Sequence, residues 1–135
     1  MKLKILSPIK EIFKGEVKDV YVPTINGEYG IYPDHSPMIL NLSLGELSFT
    51  DNNNKKNIMA ISEGMLRTSL NETIINVISG VFLHEIDIEK IEKEKEKLEE
   101  QLKTLENIKE TRRIKSHIKL YSLHLSTYHK HRKSI

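Results

Sequence analysis

From Leu3 to Val77 the apolar residues keep a period of two, and near Ile86 that period gives way to helical spacing. Such a change constrains the fold strongly, because successive side chains alternate across a strand but return to one helix face every three to four residues. In the first part Leu3 and Ile5 alternate with Lys2 and Lys4, Val20 and Val22 with Asp19 and Tyr21, and Leu47 and Phe49 with Glu46 and Ser48. Ile58 and Ala60 face away from Asn57 and Met59, and Ile75 and Val77 oppose Ile74, Asn76 and Ile78. Turn residues interrupt these runs at short intervals: Pro8, Gly15, Pro23 to Gly27, Pro33 to Pro37, Gly45, Asp51 to Asn54, Gly64, Asn71 and Gly80. The spacing predicts about ten short strands in a sandwich or flattened barrel. A parallel sheet is not expected, since no helical crossover fits between the strands.

Residues 87–106 contain no Gly, Pro or Ser and are rich in Glu, Lys, Leu and Ile. Ile91, Leu98, Leu102 and Leu105 form one stripe, with Lys95 in the slot between them. Further on, Ile114, Ile118, Tyr121, Leu125 and Tyr128 step by four and three residues, the seam of a helix packed on another helix. Two helices of similar length around a corner at Asn107 make an antiparallel hairpin. The expected organisation is a β-sandwich over residues 1–85 followed by a helical hairpin over residues 86–135.

The net charge of +2 conceals a partition. Residues 1–85 sum to −2, residues 86–106 to −3 and residues 107–135 to +7, the last segment also holding four of the six histidines. The basic cluster of Arg112, Arg113, Lys115, Lys119, Lys130, Arg132 and Lys133 could face nucleic acid or an acidic protein surface. The sandwich adds no second basic surface, and Tyr121 and Tyr128 fall on the packing seam rather than on a stacking platform, so an acidic protein surface is the better partner and nucleic acid is not expected. Lys and Ile are so abundant (17 and 18 of 135 residues) that lysine patterns alone carry less weight than they would elsewhere.

Several classes of chemistry lack their residues. With no cysteine there is no disulfide framework, thiol nucleophile or thiolate metal site. Neither common phosphate-cradling glycine loop occurs. His117, His124 and His131 recur every seven residues, two turns apart, whereas helical metal ligands sit one turn apart; no metal site is expected. Asp34, His35 and Ser36 are adjacent in sequence, which is not the geometry of a catalytic triad. The most apolar stretch, Ile74 to Leu83, is broken by Asn76, Ser79 and Gly80 and falls short of the roughly 20 residues of a membrane span. The chain reads as an intracellular soluble protein.

One segment is specific. Gly27-Glu28-Tyr29-Gly30-Ile31-Tyr32-Pro33-Asp34-His35-Ser36-Pro37, followed by Leu44-Gly45-Glu46-Leu47, closely resembles a segment of the epsilon subunit of bacterial-type F-type ATP synthases. Ile61 to Leu66 is similar to that family's strand–Gly-Gly–strand hairpin, with Glu63 in place of the first glycine, and Thr73 to Ile78 is similar to its next strand. The resemblance implies a non-catalytic rotor subunit of a proton-translocating enzyme, on the cytoplasmic face of the bacterial plasma membrane and attached to it through the complex. The sandwich would bind the gamma subunit and rest on the c-ring, with Glu28, Gly30, Pro33, Asp34, His35 and Pro37 in the contact segment. The hairpin would reach the beta and alpha subunits and restrain ATP hydrolysis through Arg112, Arg113, Lys115 and Lys119. Some members bind ATP through an Ile/Leu-Asp-x-x-Arg-Ala motif. The matching residues here are Ile86, Asp87, Lys90 and Ile91, so Asp87 and Lys90 are candidate contacts for regulatory ATP. Lys90 lacks the planar fork of arginine and Ile91 is bulkier than alanine. Asp87 can equally cap a helix N-terminus.

Overall fold

The computed structural model describes residues 1–104 and 108–131. The expected corner Asn107 lies outside the described residues, as do Leu105 of the first helical stripe and Arg132 and Lys133 of the basic cluster. The chain divides into two compact units, Met1–Phe82 and Leu83–Ile135.

The first unit is a nine-stranded sandwich: β1 (Lys2–Leu6), β2 (Glu11–Thr24), β3 (Gly27–Ile31), β4 (Met38–Leu42), β5 (Gly45–Asp51), β6 (Lys56–Ile61), β7 (Gly64–Thr68), β8 (Glu72–Val77) and β9 (Gly80–Phe82). The strand order is β4-β7-β8-β1-β2-β5-β6-β9, with β3 on β2. The 14-residue β2 belongs to both layers. Its first half pairs with β1, from Glu11 opposite Leu6 to Glu16 opposite Lys2. Its second half pairs with β5 and β3. The register shifts between Val17 and Asp19, the local irregularity by which a strand bends and increases its twist.

One pairing departs from the sequence expectation: β1 and β8 run parallel, Leu3 opposite Thr73 and Ile5 opposite Ile75. No helix makes the crossover. Of the six intervening strands, β3, β5 and β6 lie in the other layer, β2 spans both, and β4 and β7 return to the layer of β1 and β8.

The inward rows supply a single core of Leu3, Ile5, Val17, Val20, Val22, Ile31, Leu42, Leu47, Phe49, Met59, Ile61, Leu66, Ile75 and Val77. Phe49 packs against Phe13 with centroids 4.4 Å apart and rings tilted by 42°, and meets Phe82 edge-on at 6.3 Å. Most inward positions follow the alternation. In β6 the core row is Met59 and Ile61, because Met59 lies opposite inward Leu47, while Ala60 is buried on the other face. Two buried hydroxyls, Thr68 and Thr73, lie opposite each other and satisfy one another at 2.8 Å.

The second unit holds a 3-10 turn (Leu83–Glu85) and two helices, α1 (Ile88–Thr104) and α2 (Ile108–His131), packed as a hairpin. Ile91, Lys95, Leu98 and Leu102 are half-buried on α1, and Ile114 is buried on α2 with Ile118, Tyr121, Leu125 and Tyr128 half-buried along the same seam. The Tyr121 hydroxyl donates to the Glu94 carboxylate at 2.6 Å, which ties the helices together near their middle. That bond to the carboxylate, followed by partial burial, raises the Tyr121 pKa.

Candidate functional site

The contact segment is built on β2 and β3. Register places Glu28 opposite Pro23, Gly30 opposite Tyr21 and Ile31 opposite Val20. Ile31 is fully buried and anchors the strand, while Glu28 stands exposed beside the hairpin tip. Gly30 is where the Tyr21 ring lies down on β3: a Cβ there would sit 2.7 Å from the ring. From that position Tyr21 meets Tyr32 edge-on at 6.0 Å and the two hydroxyls hydrogen-bond. The bond to Tyr32, then desolvation and nearby negative charge, push the Tyr21 pKa up to about 12.

Residues 32–37 then turn the chain into β4. Asp34 takes a left-handed conformation (φ 64°), which short polar side chains tolerate best after glycine. Its N–H donates to the Leu70 carbonyl at 3.2 Å, pinning the turn to the β7–β8 connection. Pro33, Asp34 and Pro37 are exposed and His35 is half-buried. His35 uses Nδ1 on the Ser36 carbonyl at 2.7 Å and Nε2 on the Tyr29 hydroxyl at 3.3 Å. The ring nitrogens are thus committed to structural partners rather than to the Asp34 carboxylate or the Ser36 hydroxyl.

The outer face of the β4-β7-β8-β1 layer sets exposed apolar side chains among polar ones. Ile39, Arg67, Ile74 and Lys4 form one cross-strand row, and Asn41, Met65, Asn76 and Leu6 the next. Ile39, Met65 and Ile78 are 65, 49 and 61% exposed. Several large apolar side chains exposed on one sheet face make it a candidate interaction face.

In the second unit, Asp87 accepts the N–H of Lys90 at 3.2 Å and its carbonyl accepts the N–H of Ile91 at 3.0 Å. This is the geometry of an N-cap on α1, where a carboxylate satisfies a free N–H and complements the helix dipole. The Lys90 side chain is exposed. Arg112, Arg113, Lys115 and Lys119 are all exposed on α2. Among the described residues no three metal-ligating side chains converge, and no helix is long and apolar enough to cross a membrane.

Residues 1–81 match the family model of the ATP synthase delta/epsilon chain β-sandwich domain. The chain belongs to the ATP synthase epsilon-chain family. The epsilon chain of Clostridium acetobutylicum is 32% identical over 107 residues, covering 79% of this chain and 80% of the relative. The sodium-ion-specific epsilon chain of Propionigenium modestum is 29% identical over 109 residues, 81% of this chain and 79% of that one. A chain in the Euglena gracilis mitochondrial ATP synthase (OSCP, F1 and c-ring) shares the fold with a TM-score of 0.75 at 23% identity, covering 92% of this chain and 78% of that one.

Two further features of this epsilon chain escaped the sequence reading. Thr127 is 2% exposed, on a strip with half-buried Leu120 and Leu123 that is distinct from the seam. The three-and-four spacing of these residues was a legible signal, hidden because threonine reads as polar. His124 is half-buried, and its Nδ1 has no hydrogen-bond partner among the described residues. Burial holds its pKa below the ordinary 6.5. A depressed histidine pKa means that the unpacked form takes up the proton first. The contribution of His124 to packing is therefore full above its ordinary pKa and is lost as pH falls through the lowered value. Acidification is expected to loosen α2, read as a drop in helical signal, and His124→Leu should flatten that pH dependence. An unchanged pH profile in the variant would exclude the residue.

Proposed function

We propose that this epsilon chain works as a rotor subunit of the F1 central stalk in a proton-translocating ATP synthase, coupling rotation to ATP synthesis without catalytic residues of its own. The observation that carries the reading is the outer face of the β4-β7-β8-β1 layer, whose exposed Ile39, Met65 and Ile78 offer the gamma subunit apolar contacts on a rigid sheet. The Tyr32 to Pro37 turn, with His35, borders that face through the Asp34–Leu70 bond and belongs to the gamma contact. Exposed Glu28, at the β2–β3 tip, is assigned to the c-ring. A well-connected sandwich core suits transmission of torque, since close-packed interiors pass on strain rather than absorb it.

The helical unit has the regulatory role. Arg112, Arg113, Lys115 and Lys119 present a basic surface to an acidic segment of the beta subunits, with the alpha subunits alongside, and restrain hydrolysis there. Attachment to the cytoplasmic face of the bacterial membrane runs through the complex.

Co-purification tests the central contact. Ile39→Glu and Met65→Glu change exposed residues and leave the core intact, and each is expected to weaken capture of gamma by about tenfold or more, as loss of one buried apolar side chain implies. Undiminished capture by the double variant would rule out this face.

A further inference from the structure

His35 is held by two partners of different chemistry. The Ser36 carbonyl oxygen, 2.7 Å from Nδ1, can only accept, so Nδ1 carries the proton. In the neutral ring Nε2 is then an acceptor, and the group facing it at 3.3 Å is the Tyr29 hydroxyl, which donates. The rings stand edge to face with centroids 6.1 Å apart and planes inclined at 68°. These contacts together select one tautomer and one ring orientation.

The two residues come from different kinds of structure. Tyr29 sits in β3 opposite Val22, in a strand whose next residues, Gly30 and Ile31, are held by Tyr21 packing and full burial. His35 sits in a turn of irregular backbone tied to the rest of the sandwich by the Asp34–Leu70 bond and by the Tyr32–Tyr21 contact. A side chain on a rigid strand therefore orients one on a loop. We propose that Tyr29 is a positioning residue for the gamma contact, holding in one orientation the His35 imidazole whose tautomer the Ser36 carbonyl sets, so that the turn meets its partner already formed. The proposal rests on the assignment of the His35 turn to gamma. Ordering a side chain before association removes that cost from the binding step, an effect of roughly three- to tenfold in affinity.

The test uses the full chain labelled with 15N-histidine, at mildly alkaline pH, with gamma binding measured in parallel. In the unaltered chain His35 should show a protonated Nδ1 and a hydrogen-bonded Nε2. Tyr29→Phe keeps the ring and removes only the donor. It should move the Nε2 resonance to that of a free acceptor and weaken gamma binding roughly three- to tenfold. In a His35→Ala background the same substitution should cost nothing further. Unchanged His35 resonances in Tyr29→Phe would overturn the positioning role, as would an equal loss of affinity in both backgrounds. If the resonance moves but His35→Ala binds gamma normally, the pairing stands and the gamma assignment of the turn fails.

Discussion

Ending the chain after Glu85 should leave the central stalk assembled while raising ATP hydrolysis by the F1 head several-fold. The expectation has two physical parts. The sandwich core is drawn wholly from residues 3–77, flanked by Met1, Ile12, Phe13, Met38, Leu40 and Phe82, so removing the helices takes away none of it. The helices, by contrast, offer little apolar surface: one buried residue, Ile114, on the described seam and a row of half-buried ones. A unit with so thin a core opens at low cost and can exchange its packing for a surface on a partner. Reversing Arg112, Arg113, Lys115 and Lys119 to Glu in the full chain should reproduce the activation, because the attraction to an acidic surface becomes repulsion. The activation should also appear in the unaltered enzyme as salt rises, since exposed charges are screened beyond about 8–10 Å. Steady-state ATPase assays with a quantified yield of assembled complex decide the matter. Loss of assembly on truncation would contradict the division of labour, and activation by truncation without activation by charge reversal would contradict the basic surface.

The second large effect is on folding. Gly64→Ala should destabilise the sandwich by about 3 kcal/mol or prevent its folding, as overpacking against atoms that cannot move implies. A Cβ at this position would lie 2.1 Å from the Asn76 carbonyl oxygen and 3.0 Å from the Val77 Cα. Both obstacles are backbone, so relief would require separating β7 from β8 where Gly64 pairs with Val77. Urea unfolding of the full chain measures the loss, and a midpoint close to that of the unaltered chain would show that the hairpin can shift. The neighbouring position is different. Glu63 is exposed, its carbonyl accepts the Ile78 N–H at 3.0 Å, and among the described non-glycine residues only Asp34 and Asn54 have positive φ. A side chain at 63 meets no steric or conformational objection, which is why glutamate can stand where the resembling family has the first of two glycines.

Much of the architecture was legible because it depends on local periodicity. Leu3 and Ile5, Val20 and Val22, Leu47 and Phe49, and Ile75 and Val77 are all core residues named by alternation alone. The seam on α2 followed in the same way. The 27–37 segment was recognisable from its residues, but its geometry was not. Nothing in the sequence pairs Tyr29 with His35, Tyr21 with Tyr32 or Tyr121 with Glu94, because each bond depends on how separate pieces of chain are brought together.

By itself, the sequence determined a strand-built front, a helical back, the unequal charge of the two and the family. These properties reside in short windows, where side-chain periodicity and composition act directly. The tertiary structure decided which face of β6 turns inward, the parallel pairing of β1 with β8, the N-cap bond of Asp87 and the burial of Thr127. Each of these depends on what lies opposite a residue, and that neighbour is chosen by the packing of distant segments.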